Sequence, residues 1–184
     1  IHTRVLGPSW VRADRLELFA NGHRILTRDL PTTDKIEKAN LTFTLPRPAH
    51  DTHLIAIATG PGITEPFWES PRPYVPTTPK YTPRVQGATN PIFIDGNGDG
   101  KYNAPRAQAQ QLLTRHARDL NALFNALAQY DQAVAAQAAA LLHQADHNLN
   151  APTLRRHWTR TPSTQAGFAA YLGTMKNKPD NSGN

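Results

Sequence analysis

Three features of the sequence predict an α+β chain, with an antiparallel immunoglobulin-like β-sandwich followed by a small α-helical, HEAT-like segment. Short apolar runs of period two fill residues 1–60, and an Asn-Gly pair separates two of them. A proline-rich stretch and a glycine-rich acidic loop follow. Alanine then rises from 7 residues before position 104 to 18 from there on. These shifts divide the chain into residues 1–103, 104–176 and a polar tail over 177–184.

In the first part, Val11, Ala13, Leu16, Leu18 and Ala20 interleave with polar residues and predict a strand. Asn21-Gly22 and then His23 to Thr27 complete a hairpin, because a type I′ turn needs φ > 0 at both central positions. Asn40 to Leu45 alternates, with Leu41, Phe43 and Leu45 on one face. His53 to Thr59 is the most apolar run and predicts a central strand. Short strands with closely spaced turns and no helix between them are the pattern of a sandwich. An edge strand before Ile1 is expected to be missing, and the start at Ile1, without Met or signal peptide, reads as a piece of a longer chain.

Residues 61–91 hold eight prolines, which rules out helix or central strand. Phe67, Trp68, Tyr74 and Tyr81 are unusual for a free linker. They predict an ordered loop whose rings fill hydrophobic grooves. The alternative is an aromatic platform for a sugar or peptide.

The second part reads as helices near 106–117, 120–129 and 132–146, from apolar residues three and four apart such as Leu112, Leu120, Leu123, Phe124 and Leu127. Pro105 suits a first turn, with Asn103 or the loop itself as cap. Asp119 and Asp131 are expected N-caps. Asn150-Ala151-Pro152 restarts a short helix, and Ser163 or Thr164 is expected to cap the last one, through Tyr171-Leu172. The alanine-rich run from Asp131 looks like one helix of a HEAT-type unit, whereas solenoids need about three units.

Between the two parts lies Asp95-Gly96-Asn97-Gly98-Asp99-Gly100, within a loop spanning 95–106. Asp95, Asn97 and Asp99 occupy positions 1, 3 and 5 of a calcium loop, Gly100 occupies position 6, and Lys101 offers its carbonyl at position 7. The expected metal residues are therefore Asp95, Asn97, Asp99 and Lys101, holding a structural Ca²⁺. Position 12, normally a bidentate Glu, is Arg106, and position 9 is Asn103. Only two carboxylates lie in the loop, so binding is expected to be weak unless another segment supplies a third. Without an ion, the loop reads as a polar connector whose Asp and Asn make their own turn bonds.

The net charge of +6 is dispersed: residues 1–103 carry 12 Lys/Arg against 10 Asp/Glu. Only Arg155-Arg156-His157 is a tight basic group, which argues against nucleic acid. Absence of cysteine excludes disulfides and thiol chemistry. No run reaches the ~18 apolar residues of a membrane span. This composition suits a bacterial secreted protein and equally a cytosolic one.

His143-Gln144-Ala145-Asp146-His147 resembles a zinc-peptidase H-x-x-E-H with Asp for Glu, but it lacks a third ligand and sits at a helix end. His50 and His53, three apart, point to opposite faces of a strand. Asp51 between them reads as a strand start through a turn bond. His116 and Asp119 are one helical turn apart. No self-sufficient active site is visible.

Several stretches resemble the C-terminal region of bacterial PHP-domain metallohydrolases, in the branch that includes carbamate-hydrolysing enzymes. They are Val5 to Asp14, Leu18 to Gly22, Leu54 to Gly62, Pro73-Tyr74, Thr89 to Phe93 and Asp95 to Gly100, with Ala133 to Ala139 and Gly167 to Tyr171 in the helical part. The family's H-x-H metal motif is absent, so no catalytic residue is carried over. The resemblance implies a non-catalytic accessory module whose partner is its own N-terminal catalytic domain, with a homo-oligomer as a further option. A periplasmic or extracellular location is expected. The alternatives are a binding module on Trp68, Tyr74 and Tyr81, or an independent metal-dependent hydrolase. The hydrolase would need His50, His53, His116, His143, His147 and His157 to converge.

Overall fold

The computed structural model describes residues 1–63 and 84–176. It is a mixed α+β fold with antiparallel sheets and, among the described residues, five helices. Two units are distinguishable: residues 1–47 with 53–92, and residues 48–52 with the chain from Phe93 onward. The acidic loop thus belongs with the helices. None of the described helices is long and apolar enough to cross a membrane.

In the first unit, β1 (His2–Leu6) pairs antiparallel with β4 (Glu37–Thr42) as a two-stranded sheet. A larger sheet has the order β3-β2-β5-β6, from β2 (Arg15–Ala20), β3 (His23–Asp29), β5 (Thr52–Pro61) and β6 (Arg84–Ala88). The apolar run at 53–59 is central, between β2 and β6, as its composition requires. Leu16 and Leu18 of β2 point inward with Val5, Leu30 and Phe43 from outside that sheet, so both sheets feed one core.

The β2–β3 turn is built on Asn21 and Gly22, at φ 48° and 80°. Asn21 does more than turn: its N–H donates to the His53 carbonyl and its Oδ1 accepts the His53 N–H, both at 3.0 Å. An Asn in the left-handed region thereby stitches the hairpin to β5.

Three strand expectations are corrected. Val11 to Asp14 is not strand, because the Val11 N–H closes a turn on the Pro8 carbonyl at 3.0 Å. β4 is shifted back, and it buries Lys38 rather than ending on Leu45. Residues 84–88, inside the proline-rich range, form β6; this segment is itself proline-free and lies at a sheet edge.

In the second unit, β7 (Ile92–Ile94) leads into the loop, followed by α1 (Pro105–Arg115), α2 (Leu120–Leu127), α3 (Gln132–Gln144), α4 (Pro152–Trp158) and α5 (Pro162–Lys176). Asp119 caps α2 through the Ala122 N–H, and Asp131 caps α3 through the N–H groups of Ala133 and Val134. The N-cap of α1 is Ala104, with no side-chain bond, so Asn103 does not cap it. Thr164 does not cap α5 either. Its buried hydroxyl donates back to the carbonyls of Trp158 and Thr161, with Pro162 opening the helix.

The alanines of α3 explain the helical packing. Ala135, Ala138 and Ala139 are fully buried in a core with Leu123, Phe124, Leu127, Trp158 and Phe168. α5 comes so close that a Cβ at Gly167 would overlap Ala135 and the Gln132 carbonyl. Small residues here set a short interaxial distance, and three rings fill the space beside it, Phe168 lying 5.6 Å from both Phe124, at a tilt, and Trp158, on which it stacks.

Candidate functional site

The loop after β7 folds around its own side chains. Asp95 Oδ1 accepts the N–H groups of Gly98 (2.7 Å) and Asp99 (3.2 Å), and Oδ2 accepts that of Gly100 (2.8 Å). Gly98 and Gly100 adopt φ of 78° and 79°, the left-handed conformation that aims successive N–H groups inward. Asn97 Oδ1 accepts the Asp99 N–H, Asn97 Nδ2 donates to Asp99 Oδ2, and Asp99 Oδ1 accepts the Lys101 N–H. The D-x-N-x-D-G spacing therefore yields a ring of interlocked turns.

A carboxylate has about four lone-pair sites. Asp95 has committed three of them to N–H groups. Asp95, Asn97, Asp99 and the Lys101 carbonyl offer oxygen atoms, the donor type that hard cations take and soft metals do not. Together they carry two negative charges. Arg106, at position 12, turns to Gln137 and Gln144 on α3 instead.

The residue that organises the loop is Asp51. It is 1% exposed, and its Oδ1 accepts the Gly96 N–H at 3.1 Å. Its Oδ2 accepts both the main-chain N–H (2.7 Å) and the side-chain amide (3.1 Å) of Asn103. One carboxylate thus grips both ends of the loop. Gly96 is required here, because a Cβ would overlap the His50 carbonyl. Gln108 of α1, also buried, extends the grip by donating to the carbonyls of Asp51 and Asn103. Burial pushes the Asp51 pKa up, but hydrogen bonds from Asn103, Gly96 and Asn97 outweigh it and hold the carboxyl below its ordinary value.

Asp51 is therefore not simply a strand-start turn residue. It is the third carboxylate near the loop, but it binds the loop's N–H groups. His50 beside it stacks on Tyr130 at 5.1 Å, with Nε2 3.9 Å from Asp131 Oδ2. Tyr102 packs on Phe93, and its phenol pKa is raised by burial and by the charges of Asp51 and Asp131.

The other histidines serve separate elements. His143 Nδ1 is hydrogen-bonded to the Tyr171 hydroxyl at 2.8 Å. α3 stops at Gln144, short of the expected 146, and Asp146 adopts φ 61°. The N–H groups of Asp146 and His147 return to the carbonyls of His143 and Leu142, a Schellman closure. His143 and His147 thus do not share a helical face. His157 is buried against Phe124, and Trp158 beside it donates to the Leu149 carbonyl, so the basic group is half core. His53 lies on β5 and His116 at the end of α1. Trp68, Tyr74 and Tyr81 lie outside the described residues.

Comparison with family models, curated proteins and solved structures returns no match for this chain.

Proposed function

We propose that this chain is a non-catalytic accessory module, structural or interacting, of a larger PHP-type metal-dependent hydrolase. Its partner on this reading is the catalytic domain that precedes it, and its acidic loop is a weak structural Ca²⁺ site. The observation that carries the reading is the Asp51 clamp. A buried carboxylate that accepts N–H groups from Gly96 and Asn103 serves to hold the two ends of the loop that carries Asp95, Asn97, Asp99 and Lys101.

A loop with two carboxylates and no bidentate Glu suits the ~10⁻⁴–10⁻³ M affinity range of extracellular calcium modules. That fits a periplasmic or extracellular setting. We further read the two sheets as an immunoglobulin-like sandwich, and α3, packed on by α1 and α5, as a HEAT-like element.

Tyr102 lies next to the loop and can sensitise bound Tb³⁺, a Ca²⁺ surrogate. Tyrosine-excited Tb³⁺ emission should appear with the wild-type chain, fall on adding millimolar Ca²⁺, and vanish in Asp95→Ala/Asp99→Ala. Emission unchanged by that double substitution would remove the loop as the site. Metal-dependent turnover of carbamate or phosphate esters by the chain alone would overturn the accessory assignment.

A further inference from the structure

The first unit contains a cleft of about 320 Å³ between its two sheets, bounded by β1 and the 7–13 segment on one side and by β5 and β6 on the other. Its origin lies in side-chain size. In register across the large sheet, Leu16 of β2 faces Ala58 of β5, and Ala58 faces Gly87 of β6; Leu18 is followed by Ala56. Sheets packed face to face stand about 10 Å apart, and that space has to be filled by side chains. Leucine fills it under β2, where Val5 and Phe43 meet it. Alanine and glycine leave it open under β5 and β6.

Among the described residues the charge lining this cleft is one-sided. Lys38 lines it and is 3% exposed. An ammonium has three donors, and lysine is almost never buried unless paired. Lys38 Nζ reaches only two main-chain carbonyls, Ser9 at 3.4 Å and Thr33 at 3.3 Å, and no carboxylate is within 4.0 Å of it among the described residues. Arg12, exposed on the same cleft, forms no ion pair with the described residues. Arg4, by contrast, is neutralised by Glu37 at 3.0 Å. A largely apolar cavity lined by a small number of polar groups, here including Lys38 and Arg12, is the usual form of a small-ligand site.

We propose that this cleft binds a small amphipathic carboxylate, its apolar body over Ala56, Ala58 and Gly87 and its carboxylate shared by Lys38 and Arg12. Burying the anion beside Lys38 compensates a charge that, among the described residues, meets only two long hydrogen bonds. The site is independent of the calcium loop and of the accessory reading.

Isothermal titration with decanoate and with decanol, which lacks the charge, tests it. The wild-type chain should bind decanoate at least tenfold more tightly than decanol. Lys38→Met, which keeps the stem and drops the charge, should erase that preference, and Arg12→Met, at an exposed position, should weaken decanoate several-fold. Ala58→Leu should block both ligands. Gly87→Leu repeats that test at an edge position, where a Cβ meets no atom within 4 Å. Absence of decanoate binding at millimolar concentration would overturn the proposal. So would equal binding of decanoate and decanol, or decanoate binding that survives both leucine substitutions.

Discussion

Replacing Asp51 by alanine removes the acceptor for the Gly96 and Asn103 N–H groups and for the Asn103 side-chain amide. The amide can turn to water, so we count only the Gly96 and Asn103 main-chain donors, a lower bound because Asn97 also donates. A hydrogen bond to a charged group contributes about 1.5–3 kcal/mol, and a buried orphan donor costs about 1–3 kcal/mol. The expected loss for Asp51→Ala is therefore about 3–5 kcal/mol, a large share of the ~5–15 kcal/mol that holds a domain folded. With a urea m-value of about 2 kcal/mol/M, the midpoint seen by far-UV circular dichroism should fall by about 2 M. Asp51→Asn keeps one acceptor oxygen but sets an NH₂ against an N–H, and should lose about 2–3 kcal/mol. The depressed Asp51 pKa adds a pH signature. Its contribution is fully present above the unfolded-state value, about 4, and is lost as pH falls through the folded-state value below it. A loss under about 1 kcal/mol for Asp51→Ala would refute the clamp, since two orphaned donors cannot cost so little.

Three further predictions concern the helices. Gly167→Ala should cost about 1–3 kcal/mol in urea unfolding, because its Cβ would force α5 away from Gln132 and Ala135. Asp146→Gly should stabilise by about 0.5–1 kcal/mol in the same assay, since the left-handed Schellman position favours glycine. The His157 pKa is lowered by burial and by the positive charges of Arg160 and Arg156, against a smaller opposite pull from Asp119. Stability should therefore be complete above about pH 6.5 and decline as pH falls toward the folded-state value, with a slope of at most about 1.4 kcal/mol per pH unit. His157→Phe should flatten that decline in urea titrations at stepped pH.

What the sequence disclosed was local. The Asn21-Gly22 turn and the Asp119 and Asp131 caps are local, so they are written in adjacent letters, whereas the Asn21 bonds to His53 are not. The spacing of Asp95, Asn97 and Asp99 likewise fixed the loop's own turn bonds. Asp51 was misread because its partners lie 45 and 52 residues away, and nothing nearby in the sequence marks them. Its available signal was a polar His50-Asp51-Thr52 group set directly before the most apolar strand. Lys38 and His157 were hidden for a related reason: period-two and helical patterns place polar residues outside, and here each is buried by contacts distant in sequence. The end of α3 was overextended because Asp146 takes a conformation that is ordinarily assigned to glycine.

The proposed function requires that the Asp51-held loop bind calcium. Thermal unfolding in excess EDTA and then in millimolar Ca²⁺, with the wild-type chain and Asp95→Ala/Asp99→Ala, tests it most directly. Calcium at 100 times its Kd stabilises by about 2.7 kcal/mol. The account predicts a clear rise in Tm for the wild type and none for the double variant. Equal midpoints in EDTA and Ca²⁺, with elemental analysis excluding residual metal, would contradict it and leave the loop a hydrogen-bonded turn.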